Sequence, residues 1–282
     1  MTDSGASPAV VFDGVSFRYL DHGSWIVKDT KFSIAAGEWV SIVGGNGSGK
    51  STLVKLMNGL LKPSLGKVLV FGENTDPGNI QKIRQLVGVV FQNPEEQMVG
   101  NTVEEDIAFG LQNLRIPRDE MMSRIDRILK LLQLEELRNR SVRTLSGGQK
   151  QLVTIAGILV MQPQVIIFDE AASMLDPQSA GKVHDVMSGL HRMGFTIVQV
   201  THDPEDILRA DRVLILHHGR LTFDGDVLTL LKHSDILEEA QTLPPFLVRF
   251  NKALLRKGMD LPEYCGSEKE LAKSIWESIS AK

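Results

Sequence analysis

The chain has 282 residues, 42% of them apolar and 23% charged, enough for a large core and far from the low-hydrophobicity, high-charge signature of disorder. A formal net charge of -4 supplies no overall basic field for gripping nucleic acid. A single cysteine, Cys265, excludes an internal disulfide and a cysteine-based metal site; it fits a reducing, intracellular compartment and reads as a thiol without a role.

The opening MTDSGASPAVVFDG is acidic and polar, with no basic segment leading into an apolar run, so no secretory signal and a cytoplasmic location are expected. VVFDGVSFRY alternates apolar and polar residues, and KFSIAAGEWVSIVGG reads as strand, turn at Ala36-Gly37, strand. KSTLVKLMNGL has helical periodicity, and KVLVFG and VGVVFQ are short buried strands. Between about Asn93 and Ile158 the pattern turns helical, through TVEEDIAFGLQNL, RDEMMSRIDRILKLLQL and GGQKQLVTIAGILV. The run QLVTIAGILVMQPQVIIF approaches membrane-spanning length but is cut by Gln162, Pro163 and Gln164, and reads as helix, turn and buried strand. Strand and helix then alternate through VIIFDE, PQSAGKVHDVMSGLHRM and FTIVQVTH, followed by a short helix after Pro204 and the hairpin DRVLILHHGRLTF. From about His233 the tail reads as polar helices broken at Leu243-Pro244-Pro245 and near Gly258.

SIVGGNGSGKSTL contains G-x-x-x-x-G-K-S as Gly44, Gly49, Lys50 and Ser51 between a strand and a helix. Glycines let backbone N–H groups turn inward around phosphate, the helix N-terminus adds positive dipole, Lys50 reaches the outer phosphates, and Ser51 can ligate Mg2+. VIIFDE ends a buried strand on Asp169 and Glu170, where open α/β sheets bind ligands. Asp169 is the expected Mg2+ holder and Glu170 the group that polarises the attacking water. RTLSGGQKQ, residues 143–151, is a second glycine-rich loop with no lysine placed to complete it.

The order GGNGSGKST, Phe91-Gln92, LSGGQ (Leu145 to Gln149), FDE, MLDP (Met174 to Pro177) and Thr201-His202 resembles the nucleotide-binding domain of an ABC ATPase. The resemblance implies an α/β fold of P-loop NTPase type: a parallel-sheet core, an N-terminal antiparallel β subdomain and an inserted helical subdomain at about 93–160. It places this ATPase domain at residues 8–232, with a C-terminal helical extension at 233–282 that strengthens subunit pairing. ATP and Mg2+ are the implied cofactors and ATP hydrolysis the activity. The nucleotide would be held by Gly44, Asn46, Gly47, Ser48, Gly49, Lys50, Ser51 and Thr52, with Tyr19 stacked on adenine in preference to Phe17 or Trp25. Gln92 would contact Mg2+ and the attacking water and link the site to a membrane partner, and His202 would fix the water and Glu170. Lys50, Gln92, Glu170 and His202 form the implied catalytic set; Ser51, Gln92 and Asp169 form the implied metal set.

The resemblance also accounts for the second loop. Ser146, Gly147, Gly148 and Gln149 would bind ATP held by another subunit, whose own phosphate loop supplies the lysine, with Asp176 along the seam. Three departures from the family pattern stand out: Gly45 where proline is frequent, which reads as a looser turn, Leu152 for arginine, and Ala171-Ala172 for Pro-Thr.

FQNPEEQMVGNTVEEDIAFGLQNL resembles the ATPases of energy-coupling factor transporters, which take up vitamins and transition-metal ions, and DEAASMLDP is more similar to the first of their two paralogues. The implied partners are a second ABC ATPase, a transmembrane coupling protein and a substrate-binding membrane S component, on the cytoplasmic side of the cell membrane, with no nucleic acid. The sequence leaves homodimer and heterodimer open, and heterodimer follows only from the paralogue resemblance. The competing class is a soluble ABC ATPase acting on nucleic acid or the ribosome, disfavoured by one cassette and no long coiled coil. Glu95, Glu96, Glu104, Glu105 and Asp106 read as a face receiving a basic coupling helix, or alternatively as a solvated face with charge at a helix N-terminus.

Overall fold

Residues 8–259, 261–262 and 268–280 are described by a computed structural model; Cys265 and the first seven residues of the opening segment lie outside the described residues. The chain begins with an antiparallel pair, β1 (Pro8–Phe17) and β2 (Val27–Ala35). Val27, Thr30, Phe32 and Ile34 are buried between more exposed residues, the alternation of a half-buried strand. After Ala36-Gly37 comes β3 (Trp39–Val43), buried at every position, then the phosphate loop and α1 (Lys50–Met57). A hairpin of β4 (Leu65–Val70) and β5 (Glu73–Asn74) follows, then α2 (Ile80–Leu86) and β6 (Val87–Val90). The helical stretch is α3 (Val103–Asn113), α4 (Arg118–Leu131) and α5 (Gly147–Leu159). The α/β alternation resumes with β7 (Val165–Asp169), α6 (Pro177–Arg192), β8 (Thr196–Val200), β9 (Arg212–His217) and β10 (Arg220–Asp226). Among the described residues α7 (Val227–Lys232), α8 (Asp235–Glu239), α9 (Phe246–Arg256) and α10 (Glu268–Ser280) follow. The short helix expected after Pro204 is a 3-10 helix, Pro204–Arg209.

A four-stranded antiparallel sheet runs β2-β1-β4-β5, and a six-stranded sheet runs β10-β9-β3-β8-β7-β6, parallel except at β10. Its central strands feed two cores by alternation. Val40, Ile42, Val165, Ile167 and Val198 face the antiparallel sheet and α1, while Trp39, Ile166, Phe168 and Ile197 face the helices. Ile107, Leu111, Ile125 and Leu129 of the helical stretch lie in the same cluster as Ile166 and Phe168, so that stretch is packed as one body with the sheet.

The expected boundary at 232/233 crosses a third cluster, in which Leu230, Leu237 and Ala240 pack on Val43, Ile207, Val213 and Ile215. The separate layer begins after it, where Leu261 and Leu271 gather Leu247, Leu254, Leu255 and Ile275. Burial of α8 against β3 and β9 is the reason; an amphipathic sequence shows that one face is covered, not by what. We therefore place the boundary of the extension near Leu243.

The segment after β8 is pinned by a buried carboxylate. Burial alone would raise the Asp206 carboxyl pKa, but His184 Nε2 at 2.9 Å and the Thr201 hydroxyl, donating at 2.7 Å, hold it below the usual carboxylate range.

Two outcomes follow from this packing. Leu237→Ala should cost about 2–5 kcal/mol in urea unfolding, as for other buried leucines; a change near zero would place α8 outside the main body. A depressed carboxyl stabilises the fold above its unfolded pKa and loses that contribution as pH falls through its folded value. The Tm gap between wild type and Asp206→Asn should thus hold above about pH 5 and shrink below about pH 4; a gap unchanged at about pH 3 would contradict the assignment.

Candidate functional site

Strands β3, β8, β7 and β6 are neighbours and parallel, so their carboxyl ends open on one edge. That edge receives the phosphate loop after β3, Thr201-His202 after β8, Asp169-Glu170 at the end of β7 and Phe91-Gln92 after β6.

The phosphate loop must start on glycine. Gly44 has φ +150°, and a Cβ there would sit 2.1 Å from the Leu216 carbonyl oxygen, so the backbone of β9 closes its floor. Helix α1 begins after Gly49 with no side-chain cap, which leaves its N-terminal N–H groups to a ligand. Lys50 is buried, and Nζ donates to the carbonyls of Gly44 at 2.7 Å and Gly45 at 3.1 Å. Burial pulls its ammonium pKa down, against the Glu170 and Asp169 carboxylates that hold it up. Ser48 and Thr52 are buried beneath the loop, while Asn46, Gly47 and Ser51 are exposed on it.

The two acids differ in setting. Burial, with Glu170 alongside, pushes the Asp169 carboxyl up to about 6, opposed by Lys50, Lys55 and a hydrogen bond from the Ser51 hydroxyl. Glu170 stands at φ +54°, uncommon for a residue with a side chain, and its N–H donates to the Val200 carbonyl at 2.9 Å. That turn at the end of β7 brings Glu170 Oε2 to 3.3 Å from His202 Nδ1. Gln92 Nε2 donates to Ser173 Oγ at 3.1 Å, and Ser173 Oγ donates to the Glu170 carbonyl at 2.8 Å. Lys50, Ser51, Gln92, Asp169, Glu170 and His202 thus meet along one edge.

Three residues that sequence reasoning passed over hold this arrangement. Ser173 bridges Gln92 to Glu170. Gln97 accepts from the Phe91 N–H at 2.7 Å and donates to the Val89 carbonyl at 3.0 Å. Fully buried Gln151 donates to the Phe91 carbonyl at 3.1 Å. The signal for Gln97 was present in FQNPEEQ, but its target, the backbone flanking Gln92, is visible only in three dimensions.

Of the three aromatics weighed for a base, Phe17 is buried in the core and the Trp25 ring carries Arg18 at 4.7 Å. Tyr19 is 58% exposed and meets the Phe17 ring in a T-shaped contact at 4.9 Å.

The second glycine-rich loop stands apart. Ser146 caps α5 by accepting from the Gln149 N–H at 3.3 Å, and Gln149 Oε1 accepts in return from the Ser146 N–H at 3.0 Å. Gly148 is required by packing, since a Cβ would come within 2.3 Å of Ser179 Oγ in the first turn of α6. Asp176 caps that same helix, accepting from Gln178 and Ser179 N–H groups at 3.1 Å. Among the described residues, no hydrogen bond joins Ser146–Gln149 to the phosphate loop, Glu170 or His202.

The acidic face expected to receive a basic helix is already engaged within the chain. Glu95 pairs with Lys150 and Glu104 with Arg138; Glu105 completes the capping box of Thr102; Asp106 accepts from the N–H groups of Val99 and Gly100 at 2.8 and 2.9 Å. Glu96 accepts from Asn93 Nδ2 at 3.0 Å. These carboxylates fasten the loop before α3 and the start of that helix, and Glu95, Glu96 and Glu105 stay exposed to solvent. The remaining departures are core contacts: Leu152 and Ala172 pack partly buried on the helical cluster, and Ala171 is buried in it.

The ABC transporter family matches residues 27–173. The energy-coupling factor transporter ATP-binding protein EcfA1 of Halalkalibacterium halodurans is 42% identical over 273 residues, covering 96% of this chain and 98% of that one. Its namesake in Enterococcus faecalis is 39% identical over 277 residues, covering 98% and 99%. Among solved structures, cbiO1 from Clostridium perfringens, described as part of the ABC transporter complex cbiONQ, superposes with a TM-score of 0.75 at 33% identity, over 83% of this chain and 94% of that one. A dimeric ATP-binding cassette in a post-hydrolysis state with ADP and Pi gives 0.69 at 29% identity, over 77% and 98%. This chain belongs to the ABC transporter family, among the ATP-binding proteins of energy-coupling factor transporters.

Proposed function

We propose that the chain is the ATP-hydrolysing motor of an energy-coupling factor importer, powering uptake of a vitamin or transition-metal ion, with the roles at the carboxyl edge divided as follows. The glycine N–H groups and the N-terminus of α1 hold the phosphates, with Gly44, Asn46, Gly47, Ser48, Gly49 and Thr52 shaping the loop and Tyr19 stacking on the base. Lys50 turns from its two carbonyl acceptors to the outer phosphates. The Ser51 hydroxyl and the Asp169 carboxylate are neighbouring hard oxygen donors, a donor set that suits Mg2+, with Gln92 as a third. Mg2+ at that position would neutralise charge on the phosphate oxygens.

The observation that carries the assignment is the approach of Glu170 Oε2 to His202 Nδ1 at 3.3 Å on the edge that also bears Lys50. Glu170 orients and accepts a proton from the attacking water, and His202 holds Glu170 and the terminal phosphate. Ser146, Gly147, Gly148 and Gln149 serve the ATP of a facing subunit, with Asp176 at the seam. This division agrees with their distance in bonding from the chain's own phosphate loop and with the solvent exposure of Ser146 and Gly147. A second, paralogous ATPase is the proposed facing subunit.

Among the described residues no helix is long and apolar enough to cross a membrane. By its likeness to the energy-coupling factor ATP-binding proteins, the chain is proposed to sit peripherally on the cytoplasmic side of the cell membrane, held by a transmembrane coupling protein and working with an S component. The exposed Phe246, Phe250, Trp276 and Ile279 of the extension supply apolar surface for pairing. No observation favours the nucleic-acid alternative.

Two experiments test the assignment. Lys50→Ala should abolish nucleotide binding, whereas Glu170→Gln should keep it and lower phosphate release by about 100-fold or more, the usual worth of a positioned base. Equal hydrolysis by wild type and Glu170→Gln would contradict the role of Glu170. Phe250→Asp combined with Trp276→Asp should weaken association with the second ATPase while nucleotide affinity stays at wild type; unchanged association would remove the extension from the pairing surface.

A further inference from the structure

The phosphate loop is held from outside its own motif. The Gly45 N–H donates to the Ala240 carbonyl at 3.1 Å. A Cβ at Gly45 would come within 2.9 Å of Gln241 Oε1 and 3.2 Å of Gln241 Cβ, so the Gln241 side chain lies against the loop. Gln241 takes φ +58° just beyond α8, and its N–H donates to the Glu238 carbonyl at 3.0 Å; that left-handed step turns the chain across the loop. Beneath it, Ala240 and Leu237 pack on Val43, the residue that leads into the loop. Buried Pro244 and Pro245 stiffen the next stretch, and the Phe246 N–H donates to Glu205 Oε1 at 2.6 Å, three residues past His202.

This contact gives Gly45 a reason that the sequence did not. Proline at this position would have no N–H for Ala240, and its ring carbons would enter the space of Gln241. The Gly45 carbonyl in turn accepts from Lys50 Nζ at 3.1 Å, so Ala240, Gly45 and Lys50 are linked in series.

We propose that residues 240–246 are a strap that positions the phosphate loop through Gly45 and the segment after His202 through Glu205, so that ATP affinity depends on a part of the chain without a nucleotide-binding motif. The strap stands on the proposed function, because it matters only if the loop holds ATP. Ala240 and Gln241 are positioning residues that act through Gly45 and touch no substrate. A loop held in its binding conformation loses less freedom when phosphate arrives. The strap also runs in the chain directly into α9, which starts at Phe246.

The test measures fluorescent ATP-analogue affinity and kcat on the full chain. Gln241→Pro forbids the left-handed turn and removes the N–H that bonds Glu238, whereas Gln241→Gly keeps the turn. Gln241→Pro should weaken binding about three- to tenfold, the worth of one hydrogen bond, with kcat at saturating ATP within about twofold and Gln241→Gly close to wild type. Gly45→Pro should weaken binding as well, and adding Gln241→Pro to it should cause no further loss, because both cut one contact. Wild-type affinity in Gln241→Pro, or fully additive losses, would overturn the strap. Glu205→Ala, at an exposed position, keeps the test open if Gln241→Pro does not fold; weakened affinity supports the strap and unchanged affinity overturns it. Lys50→Ala separates the two failures. A wild type that binds no better than Lys50→Ala defeats the ATP-site reading itself, and wild-type binding lost in Lys50→Ala but kept in both strap variants defeats the strap alone.

Discussion

The parallel pairing of β3, β8, β7 and β6 is the constraint on which the rest depends. With Ile42 opposite Val200, Asp169 opposite Val200 and Val90 opposite Phe168, the four strands end in step. Four motifs scattered from residue 44 to residue 202 therefore arrive on one edge. A one-residue slip of β7 would turn Phe168 and Ile166 out of the helical core and Ile167 out of the other, a cost in buried area that fixes the register before any catalytic residue is considered. The site is a by-product of strands that must be buried on both faces.

Upon that frame, the proposed catalytic groups are positioned by backbone more than by one another. Glu170 reaches His202 because its own backbone takes φ +54° and its N–H bonds to Val200. Gln92 is set by Ser173 and by the two glutamines that clasp Phe91. The phosphate loop is floored by the Leu216 carbonyl and held at Gly45 by Ala240. The second glycine-rich loop follows a different logic. Ser146 and Gln149 satisfy each other in a capping box, and Gly148 lets α5 meet α6, so the loop's shape is set within the chain. A shape set in this way suits a loop presented to a facing subunit in the proposed dimer.

Features with local causes were legible in the sequence. The spacing of Gly44, Gly49, Lys50 and Ser51, the apolar run closing on Asp169, and the helical period of α4 and α6 each follow from neighbouring residues alone. Features fixed by distant partners were not. The internal pairing of the charge run at Glu95–Asp106 could not be read, because Arg138 and Lys150, its partners, come from elsewhere in the chain. The start of the tail looked like an appendage because nothing in its amphipathic pattern names Val43 or Ile207 as its neighbours. The glycine at position 45 looked like a loosened turn because Ala240 lies far along the chain. Helix α2 and the short strand β5 passed unnoticed for a simpler reason, their brevity.

In the proposed dimer, hydrolysis needs two cassettes closing on each other's ATP. The most direct test follows ATPase activity per chain against concentration, with mass by light scattering, for the chain alone and with its co-purified ATPase partner. Activity per chain should rise as dimer mass appears and fall away where the chain is monomeric. Constant activity per chain in a monomer would contradict it.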